Sequence, residues 1–283
     1  MGLTDTLLST IVVVIWGVNF IVIKLGTAEL PPFLLTALRF TLVALLVVPF
    51  RPLPRAIKPK AFWLGVVLGI GHFGLLFTGI RGLDTASAAI TIQLGVPFSA
   101  LAGVFLYKER LGWRLLLGLA MAFAGVALLT GEPSHPSIPY LLIVIAAAIA
   151  WAVSNVILKN IGPVDSLALN GWMALFAAPL LLGMSLIFEN GQLQAVTQAG
   201  WAGWGAVAYT ACAASLIAYT LWYQLVARLP ISVVSPFTLL APVISVSCAT
   251  FILDEPLGWH KLVGGALTVA GVAFVQLRRK PSP

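Results

Sequence analysis

Ten runs of mostly apolar residues, each close to the ~20 residues that an α-helix needs to cross a bilayer, account for most of this chain. They occupy 7–25, 32–50, 61–80, 86–106, 111–130, 139–158, 166–188, 204–225, 231–253 and 257–277. The breaks between them are short and punctuated by proline or glycine, as in Glu29-Leu30-Pro31-Pro32, Arg51 to Lys60, Gly131 to Pro139 and Ile161-Gly162-Pro163. Only 189–203 is long enough to carry structure of its own.

Charge content identifies the solvent. Hydrophobic residues make up 60% of the sequence and charged ones 9%, whereas a soluble domain carries about a quarter charged residues. A larger core does not explain the deficit, because surface does not shrink that far at this length. Most of the chain therefore faces lipid. The net charge of +7 is spread as Lys and Arg between apolar runs, without a basic helix face, which argues against a nucleic-acid partner. Cys212 and Cys248 lie inside apolar runs and read as buried small hydrophobes, with neither disulfide nor metal-ligand spacing. Met1 to Thr10 lacks the basic region and cleavage site of a removable signal, so the first run is expected to stay as a membrane helix.

The basic residues also orient the chain. Loops on the amino-terminal side, with the C-terminal tail, hold Arg51, Arg55, Lys58, Lys60, Lys108, Arg110, Arg114, Lys159, Arg228, Arg278, Arg279 and Lys280. The opposite loops hold Lys24, Arg81 and Lys261, and Arg39 lies within a helix. Retained cytoplasmic loops are enriched in Lys and Arg, so both termini are expected in the cytoplasm.

The chain repeats itself. Trp16-Gly-Val-Asn-Phe-Ile-Val-Ile-Lys24 aligns with Trp151-Ala-Val-Ser-Asn-Val-Ile-Leu-Lys159, and Glu109-Arg-Leu-Gly-Trp113 with Glu255-Pro-Leu-Gly-Trp259. Extended through Ala127 and Ala273, the second pairing holds 11 identities in 19 positions. Two units, 1–131 and 132–283, thus carry five helices each. Five is odd, so tandem units must sit with opposite orientation. This predicts an all-α polytopic membrane protein of ten transmembrane helices, built as two inverted five-helix repeats. In that architecture a solute site forms near the midplane, and rocking one half against the other exposes it alternately to each side.

Every Asp and Glu falls at or near a helix end, so no intramembrane carboxylate offers itself for proton antiport. Polar and aromatic residues within the runs supply the candidate substrate-binding set. Trp16 with Asn19, and Trp151 with Asn155, are three and four residues apart, so each pair shares a helix face. The repeat puts those faces at corresponding sites. Amides suit the charged ends of an amino acid and aromatic walls suit an apolar side chain; the alternative is interhelical packing with Asn as a polar clasp. His72, in Gly69-Ile-Gly-His72-Phe-Gly74, either lines the cavity or bonds a carbonyl of an adjacent helix. The eighth run carries Tyr209, Cys212, Leu216, Tyr219 and Tyr223 at helical spacing, with Trp222 adjacent. Tyr219 is the deeper candidate, while Tyr209 and Tyr223 suit interfacial anchors. Gln93 sits centrally in the fourth run, four residues before Pro97. Pro97 and Pro242 occupy matching places, as hinges or as static bends. Arg39 is expected to snorkel to the outer interface as an anchor; the alternative is that it binds a substrate carboxylate. Gly118, Gly125, Gly264 and Gly271 read as close-packing positions, and Trp113 and Trp259 as interfacial belts.

The Trp-x3-(Asn/Phe)-x3-Lys opening, the Leu38-Arg39-Phe40 step and the Glu-x-Leu-Gly-Trp…Ala-Gly-Val-Ala ending resemble the drug/metabolite transporter superfamily of the EamA type, over almost the whole chain. Within it the sequence most resembles bacterial aromatic amino-acid exporters. The resemblance implies a ten-helix basket with a central cavity that exports amino acids and similar metabolites. Arg39 has no basic counterpart in Leu169-Asn170-Gly171-Trp172, so those residues inherit no role by symmetry.

Together these features predict a multi-pass protein of the bacterial inner membrane, exporting aromatic or other neutral amino acids by facilitated diffusion. It is expected to act as a monomer or weak homodimer, with a small-molecule substrate and the lipid bilayer as partners, and with no metal or cofactor. The alternative is an exporter of lipophilic drugs or other metabolites with proton coupling. The runs hold no Gly-x-Ser-x-Gly, no His-Glu-x-x-His and no paired carboxylates, which argues against an intramembrane enzyme. A channel would lack an inverted midplane site.

Overall fold

The computed structural model describes residues 2–107, 112–129, 131, 137–229 and 235–276. Glu109 of the first repeated anchor, with Lys108, Arg110, Glu132 and Arg278 to Lys280, lies outside the described residues, as do the side chains of Arg114, Tyr223 and Arg228. Six helices are long and apolar enough to cross a membrane: α1 (Leu3–Glu29), α3 (Arg55–Gly82), α4 (Thr85–Leu106), α6 (Ile138–Ile161), α7 (Ser166–Phe188) and α8 (Trp201–Trp222). Four shorter apolar helices complete the series: α2 (Pro32–Val47), α5 (Leu115–Leu129), α9 (Phe237–Ile252) and α10 (Trp259–Val275). The described residues contain no strand. Between α7 and α8 a two-turn helix, Gln192–Gln198, fills the one connection long enough to fold.

Local chemistry sets the boundaries. Proline at the first turn opens α2, α6 and the α-helical part of α3 that starts at Lys58, where its missing N–H costs nothing. Asp84 and Asp165 cap α4 and α7 through Ser87 N–H at 2.8 Å and Leu167 N–H at 2.9 Å. Glycine in the left-handed region ends α6 at Gly162, φ 79°. Four helices leave regular α geometry within their length. π-Helical stretches run over Gly65–Gly74 of α3 and Tyr209–Ile217 of α8. 3₁₀ turns lie over Ile92–Leu94 of α4 and Ser235–Leu239 at the start of α9, just upstream of Pro97 and Pro242.

Packing pairs α5 with α10, α2 with α7, α1 with α8 and α9, and α6 with α3 and α4. The α5–α10 crossing is the tightest. A Cβ on Gly118 would sit 2.7 Å from the Gly271 carbonyl oxygen, one on Gly271 2.6 Å from that of Gly118, and one on Gly125 2.5 Å from that of Gly264. These four glycines are close-packing positions, as small residues are wherever membrane helices touch backbone to backbone. Large apolar side chains instead cover the outside, among them Leu45, Phe105, Ile187, Phe251 and Trp201, and Trp113 and Trp259 are exposed near helix starts. An apolar surface of that extent belongs in lipid. This is a multi-pass membrane protein.

One end of the bundle is tied by carboxylates that reach helix N-termini distant in sequence. Glu189, after α7, accepts from Phe33 and Leu34 N–H of α2 at 2.8 and 3.1 Å. Glu29, at the end of α1, accepts from Gly200 and Gly203 N–H at the start of α8, at 2.8 and 2.6 Å. Glu255, before α10, accepts from Thr85 and Ala86 N–H of α4 at 2.8 and 3.2 Å. Lys24 donates to the last carbonyls of α3, those of Ile80, Arg81 and Leu83, at 3.0, 3.2 and 2.5 Å. Lys261, 2% exposed, pairs with Asp84 at 3.3 Å. Apart from the Lys261–Asp84 ion pair, these contacts satisfy helix-end groups that have no partner inside their own helix.

Candidate functional site

Between the ends of the bundle, the predicted residues fall into two aromatic groups. In the first, Trp16 of α1 packs on Tyr219 and Trp222 of α8, with ring centroids 5.4 and 5.5 Å apart. Its indole Nε1 faces the Ala214 carbonyl at 3.5 Å. Tyr209, assigned by sequence to an interfacial anchor, instead donates its hydroxyl to the Ile15 carbonyl at 2.9 Å. Its polar end is thus spent on a helix–helix bond, beside the same stretch of α1. In the second group, His72 of α3 packs on Trp151 of α6 at 4.9 Å and on Phe73 at 4.7 Å.

His72 is 5% exposed, and its Nδ1 lies 2.9 Å from the Ala147 carbonyl. A carbonyl only accepts, so Nδ1 carries the proton and a neutral ring leaves Nε2 as the acceptor. This is the carbonyl-bonded arrangement, and it also fixes the ring against Trp151. Asn155, four residues on, donates to Ser99 Oγ of α4 at 3.0 Å, and Gly95 of α4 lets its backbone approach the Trp151 ring. Asn19 is half-buried, and its Oδ1 is buried without a hydrogen-bond partner. Gln93 is half-buried beside the 3₁₀ turn of α4.

Arg39 joins the two groups, and here the sequence expectation needs correction. The side chain does not snorkel to an interface. It is 1% exposed and points into the bundle, where Nε and Nη2 donate to Ser215 Oγ of α8 at 3.0 and 2.8 Å. Its Cζ lies 4.2 Å from the Phe73 ring centroid, with Phe40 at 5.2 Å and Phe77 at 5.6 Å. Ser215 in turn donates to the Thr210 carbonyl at 2.8 Å, five residues back. That reach fits a π-helical turn, whose backbone bonds also span five residues. The hydroxyl's single proton is thereby spent, and both lone pairs face the guanidinium. Asn170 of α7 braces the same turn through the Ser215 carbonyl at 3.2 Å.

Ser215 and Asn170 were not among the predicted residues. Serine is ordinary in membrane helices, and only the π turn aims this one at Arg39. The signal that was present is a lone arginine inside an apolar run, since a charge there is costly and marks function by default. The cavity at the carboxylate end, about 250 Å³ and lined by Glu29, Arg81, Asn190 and Gln194 among others, holds none of the predicted substrate-binding residues. Among the described residues no cluster of three His, Cys, Asp or Glu is arranged to hold a metal.

Comparison with known proteins fixes the class that this fold and site define. The EamA-like transporter family matches the chain twice, over residues 5–131 and 138–277, so the chain belongs to that family within the drug/metabolite transporter superfamily. It is a membrane transporter. Its sequence is 32% identical to a probable amino-acid metabolite efflux pump of Salmonella typhimurium, over 96% of this chain and 94% of that protein. A protein of the same description from Escherichia coli strain K12 is 29% identical over 96% and 94%. A solved crystal structure, 24% identical, superposes with a TM-score of 0.66 over 98% of this chain and 99% of its own, which supports the fold alone.

Proposed function

We propose that this transporter exports neutral amino acids and related metabolites, aromatic ones foremost, across a bacterial inner membrane by alternating access between two inverted five-helix halves. The carrying observation is the pair of aromatic groups drawn from α1 with α8 and from α3 with α6, each containing the tryptophan of one repeat. Aromatic walls suit a zwitterion with an apolar side chain when amides lie beside them: Asn19 and Asn155 are close to the tryptophans in sequence, and Gln93 is two residues before the Gly95 that meets the Trp151 ring. The efflux-pump relatives point to the same cargo.

Several observations support the inverted halves. Advancing each helix by five maps α1–α9 onto α6–α4, and α1–α8 onto α6–α3, while α5–α10 and α2–α7 map onto themselves. The irregular stretches obey the same relation, π in α3 and α8, 3₁₀ in α4 and α9. The family match likewise divides into two. Basic residues gather at the end opposite those carboxylates, among them Arg51, Lys58 and Lys60, which supports a cytoplasmic position for that end and for both termini. Without a carboxylate inside the spans, transport runs down the solute gradient. In this reading the working unit is a monomer or a weak homodimer.

The test is uptake of radiolabelled amino acids into liposomes containing purified protein, with Trp16→Ala and His72→Ala beside the wild type. Saturable uptake of phenylalanine, tyrosine or tryptophan, weakened by both changes, is expected. A well-folded protein that moves no amino acid would refute the substrate class.

A further inference from the structure

Arg39 is a buried cation without a counter-ion. Among the described residues the ion pairs are Arg51 with Asp165 and Lys261 with Asp84, and neither involves Arg39. Its known contacts are neutral: one serine hydroxyl and three phenylalanine rings. The rings lie within cation–π range of Cζ and offset part of its charge. They do nothing for the N–H groups, which point outward in the guanidinium plane. Ser215 takes the edge formed by Nε and Nη2. Nη1 is fully buried and has no hydrogen-bond partner, which leaves donors of the fork between Nη1 and Nη2 unsatisfied.

That geometry selects a ligand. Two parallel N–H donors on a planar, permanently charged group match the two oxygens of a carboxylate. The surroundings agree. Phe73, whose ring centroid lies 4.2 Å from the guanidinium carbon, is next in sequence to His72 and packs on it, and Tyr219 lies one helical turn beyond Ser215 against Trp16. A solute whose carboxylate reached the fork would thus have the aromatic groups of both repeats within reach of its apolar part. The ligand supplies the one charge that the protein withholds.

We propose that Arg39, held by Ser215, is the specificity-determining residue that binds the carboxylate of the transported solute, so that the cargo is a carboxylic acid rather than an amine or an uncharged compound. This deepens the functional reading above and rests on it only in requiring that solute enters the bundle. A purely structural arginine would make the protein indifferent to the charge on the ligand.

The experiment measures the thermal unfolding midpoint of the purified full-length protein in detergent, titrated with two matched pairs: phenylalanine against phenylalaninamide, and phenylacetate against phenylacetamide. In the wild type each acid should stabilise at concentrations about tenfold or more below its amide, the ratio that a charged hydrogen-bonded pair provides. In Arg39→Gln the ratio should collapse toward one, and Arg39→Lys, which keeps the charge but loses the fork, should fall between. Ser215→Ala, which frees the guanidinium without removing it, should also reduce the preference and serves if Arg39→Gln fails to fold. Stabilisation by phenylacetate but not by phenylalanine upholds the carboxylate site and refutes the amino-acid cargo. Acid and amide acting alike in the wild type, an undiminished preference in Arg39→Gln or Ser215→Ala, or no stabilisation by either acid overturns the proposal.

Discussion

Replacing Glu255 by glutamine probes how the carboxylate end is held, because it changes charge and one acceptor at nearly constant volume. Glu255 spends one oxygen on each of the first two N–H groups of α4, at 2.8 Å to Thr85 and 3.2 Å to Ala86. Asp84 satisfies the third, at Ser87, at 2.8 Å. An amide keeps a single oxygen and turns its NH2 toward a donor, so one of the two N–H groups loses its partner. The lost hydrogen bond to a charged acceptor is worth about 1.5–3 kcal/mol, and removing a negative charge from a helix N-terminus costs about 0.3–1 kcal/mol at an exposed site. Overlap between the two brings the total to about 2–3 kcal/mol, or about 30- to 150-fold in the local opening equilibrium. Hydrogen–deuterium exchange reads that equilibrium at the amides concerned. Peptides covering residues 82–91 should lose protection by that factor in Glu255→Gln, while α5 and α10, packed through their glycines, stay unchanged. Unaltered exchange at 82–91 would mean that Asp84 alone secures the helix and that Glu255 does not hold it.

Other substitutions test the packing and the ion pair through thermal unfolding of the purified protein. Gly125→Ala should destabilise by about 1–3 kcal/mol, the usual cost of overpacking, because its Cβ would lie 2.5 Å from the Gly264 carbonyl oxygen. Gly183→Ala, with nothing within 4 Å of the new carbon, should be neutral or gain up to about 1 kcal/mol from helix propensity; equal effects at the two sites would count against the close crossing. Asp84→Ala removes both an N-cap and the counter-charge of buried Lys261, so it should cost about 3–5 kcal/mol. Lys261→Met leaves a carboxylate that is 20% exposed and should cost less; the reverse order would refute this account of the pair.

The sequence by itself determined the class of protein and its build from apolar helices. Both follow from a solvent requirement, since a crossing needs about twenty apolar residues and excludes charge from most of them. The helix-end carboxylates, the close-packing glycines of α5 and α10 and the folded 189–203 connection were legible for the same local reasons. The sequence pairing also singled out Trp16 and Trp151, and each lies in one of the two aromatic groups. Tertiary structure decided what each polar group meets. Glu255 and Thr85 are 170 residues apart, and no local pattern says which helix N-terminus a loop carboxylate will find. Arg39 shows the limit most clearly. Its length allows either an interfacial or an inward position, and what separates them is Ser215, 176 residues away, whose hydroxyl is aimed by a π turn that departs from the 3.6-residue period on which sequence reading depends. Periodicity assigns residues to faces of ideal helices; partners across the bundle, and the places where a helix departs from the ideal, are set only when the helices pack.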